Sequence, residues 1–316
     1  MTRFVPEPIP SPRTARGRGH SSRTCGWALA LALLLGGCGD DEAAAPRAPA
    51  VAPPVLFPAV VGDRWRERVG GVARTRGVTA RTAEGLAVLF GQGDTQPAFH
   101  RVDDAVVGLA RPDGTLIEPY LRAPIRQGAR WAYDGAQGAR CEGTVRGDDA
   151  RGTGLDCVQV RRRCVHPEGT LFGPETTRVT DETYCAGVGR VHARTELTPP
   201  IEGATPGDVE VIAWRVAGAP ARLPETFGCD AFLLLPSDVQ AACGPEWRWE
   251  SEEEEGAACV HRFSAGGRSL EVEAADRELE GELVVREGRL WAAVRGGCGA
   301  ERTRRLEGLL RSLLAR

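Results

Sequence analysis

The chain has 316 residues, 42% of them hydrophobic and 26% charged, with a formal charge of −3. That length holds roughly two domains with cores of their own, and the composition is too apolar for wholesale disorder. Residues 1–37 contain five Arg and one Glu, so removing their surplus of four positive charges takes the remainder from −3 to −7, which speaks against a nucleic-acid partner.

Arg3, Arg13, Arg16, Arg18 and Arg23 precede an uncharged run from Gly26 to Gly37, the pattern of a basic n-region and an apolar h-region. Twelve helical residues span about 18 Å against about 30 Å of hydrocarbon, so the run reads as an export signal and not a membrane-spanning helix. It ends Leu35-Gly36-Gly37-Cys38, which resembles the bacterial lipobox. The resemblance implies that residues 1–37 are removed and that Cys38 becomes the acylated first residue, with the lipid bilayer as its partner. Residues 38–55 are rich in Pro and Ala and read as an extended tether. Gly39, where inner-membrane retention would place Asp, points to the outer membrane over the inner, facing the periplasm or the surface.

Cys25 leaves with the signal and Cys38 takes lipid, which leaves Cys141, Cys157, Cys164, Cys185, Cys229, Cys243, Cys259 and Cys298. An even number in an exported chain reads as disulfides, although eight thiols allow 105 pairings. Locality favours Cys141–Cys157 and Cys164–Cys185 in one domain, with Cys229–Cys259 and Cys243–Cys298 in the next. The absence of a C-x-x-C pair argues against a metal site.

The motif Pro58-x-x-x-Gly62-x-Arg64-Trp65 recurs 66 residues later as Pro124-x-x-x-Gly128-x-Arg130-Trp131. Each copy predicts a turn followed by a strand whose Trp points into the core. Short alternating runs then predict strands at 64–69, 72–81, 86–90, 98–102, 106–109 and 116–120 after the first copy. After the second they fall at 130–133, 142–146, 156–162, 176–184, 189–196 and 209–216. Residues 56–222 therefore read as an antiparallel β meander, with a curved half-barrel as one form of it.

The opening Phe57-Pro58-x-x-x-Gly62-x-x-Trp65 resembles a family of bacterial lipoproteins and secreted proteins. The run Gly152-Thr153-Gly154-Leu155-Asp156-Cys157-Val158-Gln159-Val160 and the element Gly187-Val188-Gly189-Arg190-Val191 are similar to later motifs of that family, so the likeness covers residues 57–198. It implies no activity. The chain departs from the family at Arg66-Glu67 and at Tyr184-Cys185, where aromatic or apolar residues are usual.

Residues 223–316 read as a small α+β domain ordered helix, sheet, helix, and resemble a lipoprotein module with a C-x-x-L-L helix. Pro236, Asp238 and Gly244 mark a short helix. Strands are predicted at 258–263, 270–274, 282–286 and 289–294, while Glu246 to Glu255, with six acids and two Trp, reads as a solvated loop. The last helix, Ala300 to Leu314, carries Leu306, Leu309, Leu310, Leu313 and Leu314 at helical spacing, a face suited to covering the sheet.

No G-x-S-x-G elbow, H-E-x-x-H, phosphate loop or dinucleotide fingerprint occurs, so neither an enzyme nor a cofactor is expected. The expectation is a mainly β, non-enzymatic binding or scaffold module of the cell envelope, with an envelope protein or polymer as partner. The alternative is a carrier of lipid or another apolar ligand, in a pocket lined by Trp65, Phe90, Phe99 and Trp131.

Overall fold

The computed structural model describes residues 51–57, 59–94, 96–148, 155–170, 173–201, 207–217 and 219–315. The signal 1–37 with Leu35, Gly36 and Gly37, the acylation site Cys38, most of the tether, Pro58 and Gly152 to Gly154 lie outside them.

After a short helix α1 (Pro53–Leu56), the first six strands are β1 (Arg64–Val69), β2 (Val72–Arg81), β3 (Ala87–Gly91), β4 (Ala98–Val102), β5 (Val106–Ala110) and β6 (Leu116–Arg122). The next six are β7 (Arg130–Asp134), β8 (Arg140–Asp148), β9 (Cys157–His166), β10 (Thr176–Cys185), β11 (Gly189–Thr198) and β12 (Val209–Arg215). They form one antiparallel sheet in the order β6-β5-β4-β3-β2-β1-β12-β11-β10-β9-β8-β7. The first and last strands pair, Trp65 opposite Trp214, and among the described residues only consecutive strands β6 and β7 share no ladder. The meander is thus a nearly closed barrel, open along one seam that falls between the two halves of the repeat.

Both copies of the opening motif fold alike. Gly62 N–H donates to the Val78 carbonyl and Gly128 N–H to that of Val145, each at 2.9 Å; Val78 and Val145 return bonds to the Asp63 and Ala129 carbonyls, again at 2.9 Å. The two glycines take φ of +100° and +79°, which side-chain-bearing residues adopt only at a cost. Trp65 and Trp131 then enter one buried cluster, 4% and 7% exposed. Trp131 lies against its cross-strand partner Gly143, where a Cβ would fall 2.1 Å from the indole.

The chain enters at the seam. Val51 bridges Ile125 in the β6–β7 connection, Leu56 and Phe57 are buried in the barrel cluster, and the Phe57 ring stacks on His100 at 5.6 Å.

The second sheet contains β13 (Arg248–Glu255), β14 (Ala258–Ala265), β15 (Arg268–Ala275), β16 (Leu283–Glu287) and β17 (Leu290–Arg295), in the order β13-β14-β15-β17-β16. Helix α2 (Pro236–Cys243) precedes it and α3 (Ala300–Leu314) follows, burying Leu306, Leu310, Leu313 and Leu314 in the same cluster as Val272, Val285 and Ala292. The acidic stretch expected as a loop is instead the edge strand β13, paired with β14 from Arg248–Ser264 to Glu255–Ala258. Glu is poorly represented in strands, which hides such a segment from propensity, yet an edge strand accepts charge because one side of its ladder faces water.

Four disulfides cross-link the chain: Cys141–Cys164, Cys157–Cys185, Cys229–Cys259 and Cys243–Cys298. The last two match the pairing favoured by locality. The first two replace Cys141–Cys157 and Cys164–Cys185, because Cys157 and Cys164 both stand on β9. That strand lies between β8 and β10, so Cys164 faces Cys141 and Cys157 faces Cys185 directly across the ladders. Non-reducing peptide mapping is expected to recover a Cys141–Cys164 and a Cys157–Cys185 peptide; a Cys141–Cys157 peptide would contradict this register.

Candidate functional site

Strand alternation gives β1 two chemically different faces. Arg64 and Arg66 point outward to the second sheet. Arg64 donates to Asp238 at 2.8 Å through Nη2, near the start of α2, and to the Leu233 carbonyl at 3.2 Å. Arg66 reaches Asp230 at 3.0 Å, Glu252 of β13 at 3.0 Å and Gln92 at 3.1 Å. Gln92 itself donates to Glu252 at 2.7 Å, and Arg215 donates to the Ser312 and Leu313 carbonyls at the end of α3. Gly77, cross-strand from Arg64, makes room for Leu235: a Cβ there would stand 2.8 Å from its Cδ1.

The inner face carries a second ionic system. Glu67 is fully buried and accepts from Arg76 at 2.6 Å, with Arg74 at 3.9 Å and Arg190 at 4.0 Å. Arg190 continues to Glu182 at 3.2 Å, Glu182 to Arg162 at 2.7 Å, Arg162 to Glu118, and Glu118 to Arg178 at 2.7 Å. The guanidinium of Arg162 also lies over the Tyr120 ring, 4.9 Å from its centre. The chain of alternating charges runs from β2 through β1, β11, β10 and β9 to β6, and its Glu118–Arg162 link crosses the seam that no backbone ladder closes.

The burial of these charges costs several kcal/mol per ion unless partners offset it. Burial works to raise the Glu67 carboxyl, but Arg76, Arg190 and Arg74 outweigh it and hold the group below its usual range. Glu182 is held low in the same way by Arg162 and Arg190 against its own burial. Burial, reinforced by Arg76 and Arg190, drives His100 down to about 3, so it is neutral at physiological pH. Burial and the Glu182 charge push the Tyr184 phenol well above its ordinary value, and it remains protonated.

The four aromatic residues expected to line an apolar pocket are not brought together. Trp65 and Trp131 are buried in the barrel cluster, and the Trp65 indole donates to the Val188 carbonyl at 2.7 Å. Phe90 pairs with the outward Gly77 and Phe99 with Val88, and both are only half-buried, on the opposite face from their buried neighbours Leu89 and His100. The sequence does not mark the ionic system, because acids and arginines are solvated in most strands; its one local signal is that Glu67 stands two residues after Trp65 and so shares its face.

Two other clusters carry less. Cys229, Cys259 and Glu252 place ligand-type atoms within 4.8 Å of one another, but the two sulfurs are bonded to each other and offer no thiolate. An outer cleft of about 240 Å³ over β8–β11 is lined by Arg146, Arg161, Asp181 and Arg194 among others, with Arg161 and Asp181 already paired at 2.6 Å. No helix among the described residues is long and apolar enough to cross a membrane. No family model matches the chain, and no curated protein matches it.

Proposed function

We propose that the chain is a membrane-anchored extracytoplasmic lipoprotein acting as a non-enzymatic binding or scaffold module of the cell envelope. The observation that carries this reading is the pairing of the cysteines. All eight after Cys38 are used in four disulfides, which suits an oxidising compartment and leaves none of them to bond Cys38. The lipobox Leu35-Gly36-Gly37-Cys38 supplies the anchor, and several acyl chains on one residue hold a protein stably where a single chain does so marginally.

A scaffold needs a frame that keeps its shape. Here the barrel is tied to helix α2 by Arg64–Asp238 and to the second sheet by Arg66–Glu252, both shielded from solvent, and the barrel is cross-linked on β8, β9 and β10. The apolar-carrier alternative loses the lining on which it rested, since Phe90 and Phe99 turn away from Trp65 and Trp131. In cells fed a labelled fatty acid, the wild-type chain is expected to take up label and to fractionate with the outer membrane. Cys38→Ala is expected to abolish both, and equal labelling of the variant would overturn the anchor.

A further inference from the structure

The inner ionic system is unbalanced in a particular way. It sets five arginines, Arg74, Arg76, Arg162, Arg178 and Arg190, against three carboxylates, Glu67, Glu118 and Glu182, with Asp94 3.9 Å from Arg74 at the rim. Around Glu67 and Glu182 exposure divides along the sign of charge, whereas at the far end Glu118 keeps 19% and Arg162 7%. Glu67 and Glu182 are 0% exposed, whereas the inward-facing Arg76 and Arg190 each keep 19% and Arg74 keeps 38%. Glu67 and Glu182 are sealed behind the guanidinium groups of Arg74, Arg76 and Arg190, so what this end of the inner face leaves accessible is cationic.

Unused donors lie on the same face, beside one unpartnered acceptor, the buried Glu67 Oε2, which Arg74 faces at 3.9 Å. The Tyr184 hydroxyl, on a fully buried residue paired across the ladder with Arg190, has no hydrogen-bond partner among the described residues. The same holds for the Nε–H groups of Arg74 and Arg76, and for the Trp131 indole N–H inside the barrel cluster. A buried donor without a partner costs free energy that an acceptor would recover. Guanidinium groups are planar forks matched to oxyanions, and inside a protein their attraction is weakly screened.

We propose that Arg74, Arg76, Arg190 and Tyr184 form an internal site for a small oxyanion, a carboxylate or phosphate group. The site deepens the reading of the chain as a binding module by giving it a ligand class, and it is independent of the anchor at Cys38. A ligand with one such group would take charge-assisted bonds from the arginines and a neutral bond from the phenol. Glu67 and Glu182 keep the guanidinium groups in place and prevent their mutual repulsion from opening the barrel.

The test uses the purified lipoprotein in detergent, titrated with inorganic phosphate and, separately, with acetate, at constant ionic strength set by chloride. Calorimetry is expected to show saturable binding of at least one of the two in the millimolar range or tighter, with a matching change in tryptophan fluorescence. Phosphate alone would assign a tetrahedral oxyanion and acetate alone a carboxylate. Arg190→Gln would remove the central cation but also a structural partner, so the deciding variant is Arg74→Gln, at the rim and 3.9 Å from its nearest carboxylates. It is expected to keep its thermal midpoint and weaken binding about tenfold. No saturable heat beyond the chloride control, or the same affinity in Arg74→Gln, would overturn the site. Either result would leave the fatty-acid labelling at Cys38 untouched, so the two readings fail separately.

Discussion

Glu182→Gln is expected to lower the unfolding free energy by about 3–5 kcal/mol, the scale for removing one partner of a buried ion pair. The substitution preserves shape, so packing does not account for the loss. It leaves Arg162 with Glu118 alone and Arg190 with no carboxylate nearer than Glu67 at 4.0 Å. The control is one residue away on the same strand. Asp181 pairs with Arg161 at 2.6 Å, as close as Glu182 to Arg162 at 2.7 Å, yet it is 43% exposed. Asp181→Asn is expected to cost about 0–1 kcal/mol, because water solvates both partners when the pair is broken. Urea unfolding of the two variants, with disulfides intact, checks the contrast. Equal losses would mean that the inner face is as wet as the outer one.

Trp65→Ala is expected to cost about 3–5 kcal/mol, the range for deleting a large core aromatic. Trp65 is 4% exposed, stands at the β1–β12 junction that nearly closes the barrel, and bonds the Val188 carbonyl through its indole. Trp65→Phe separates the two contributions. It keeps most of the ring but leaves the Val188 carbonyl without that donor, for an expected loss of about 1–3 kcal/mol. Thermal or urea unfolding with a tryptophan-independent signal, such as far-ultraviolet dichroism, is the measurement. A loss below about 1 kcal/mol for Trp65→Ala would show that the repeated motif does not anchor the core.

Several features needed nothing beyond the order of residues. The alternating runs and Gly-bearing turns locate the twelve barrel strands, because a two-residue period is a local property of the chain. The leucines of α3 and the turn residues around α2 locate the helices in the same local way. The repeat at Gly62-x-Arg64-Trp65 and Gly128-x-Arg130-Trp131 was legible, and it marks the two halves between which the seam lies.

Tertiary structure decided the rest. The pairing of Cys141 with Cys164 depends on which strand lies beside β9 and in which register, and sequence distance does not encode that. Arg248 to Glu255 became a strand because β14 offered an edge and Arg66 offered Glu252 a buried partner, both supplied from elsewhere in the chain. The inner charges are the clearest case. Alternation says that Glu67 shares a face with Trp65, but only closure of the sheet puts that face inside and brings Arg190, Glu182, Arg162 and Glu118 from four other strands to neutralise one another. A charged side chain is stable in an interior only when such partners arrive together, and their arrival is a property of the whole barrel, not of any one strand.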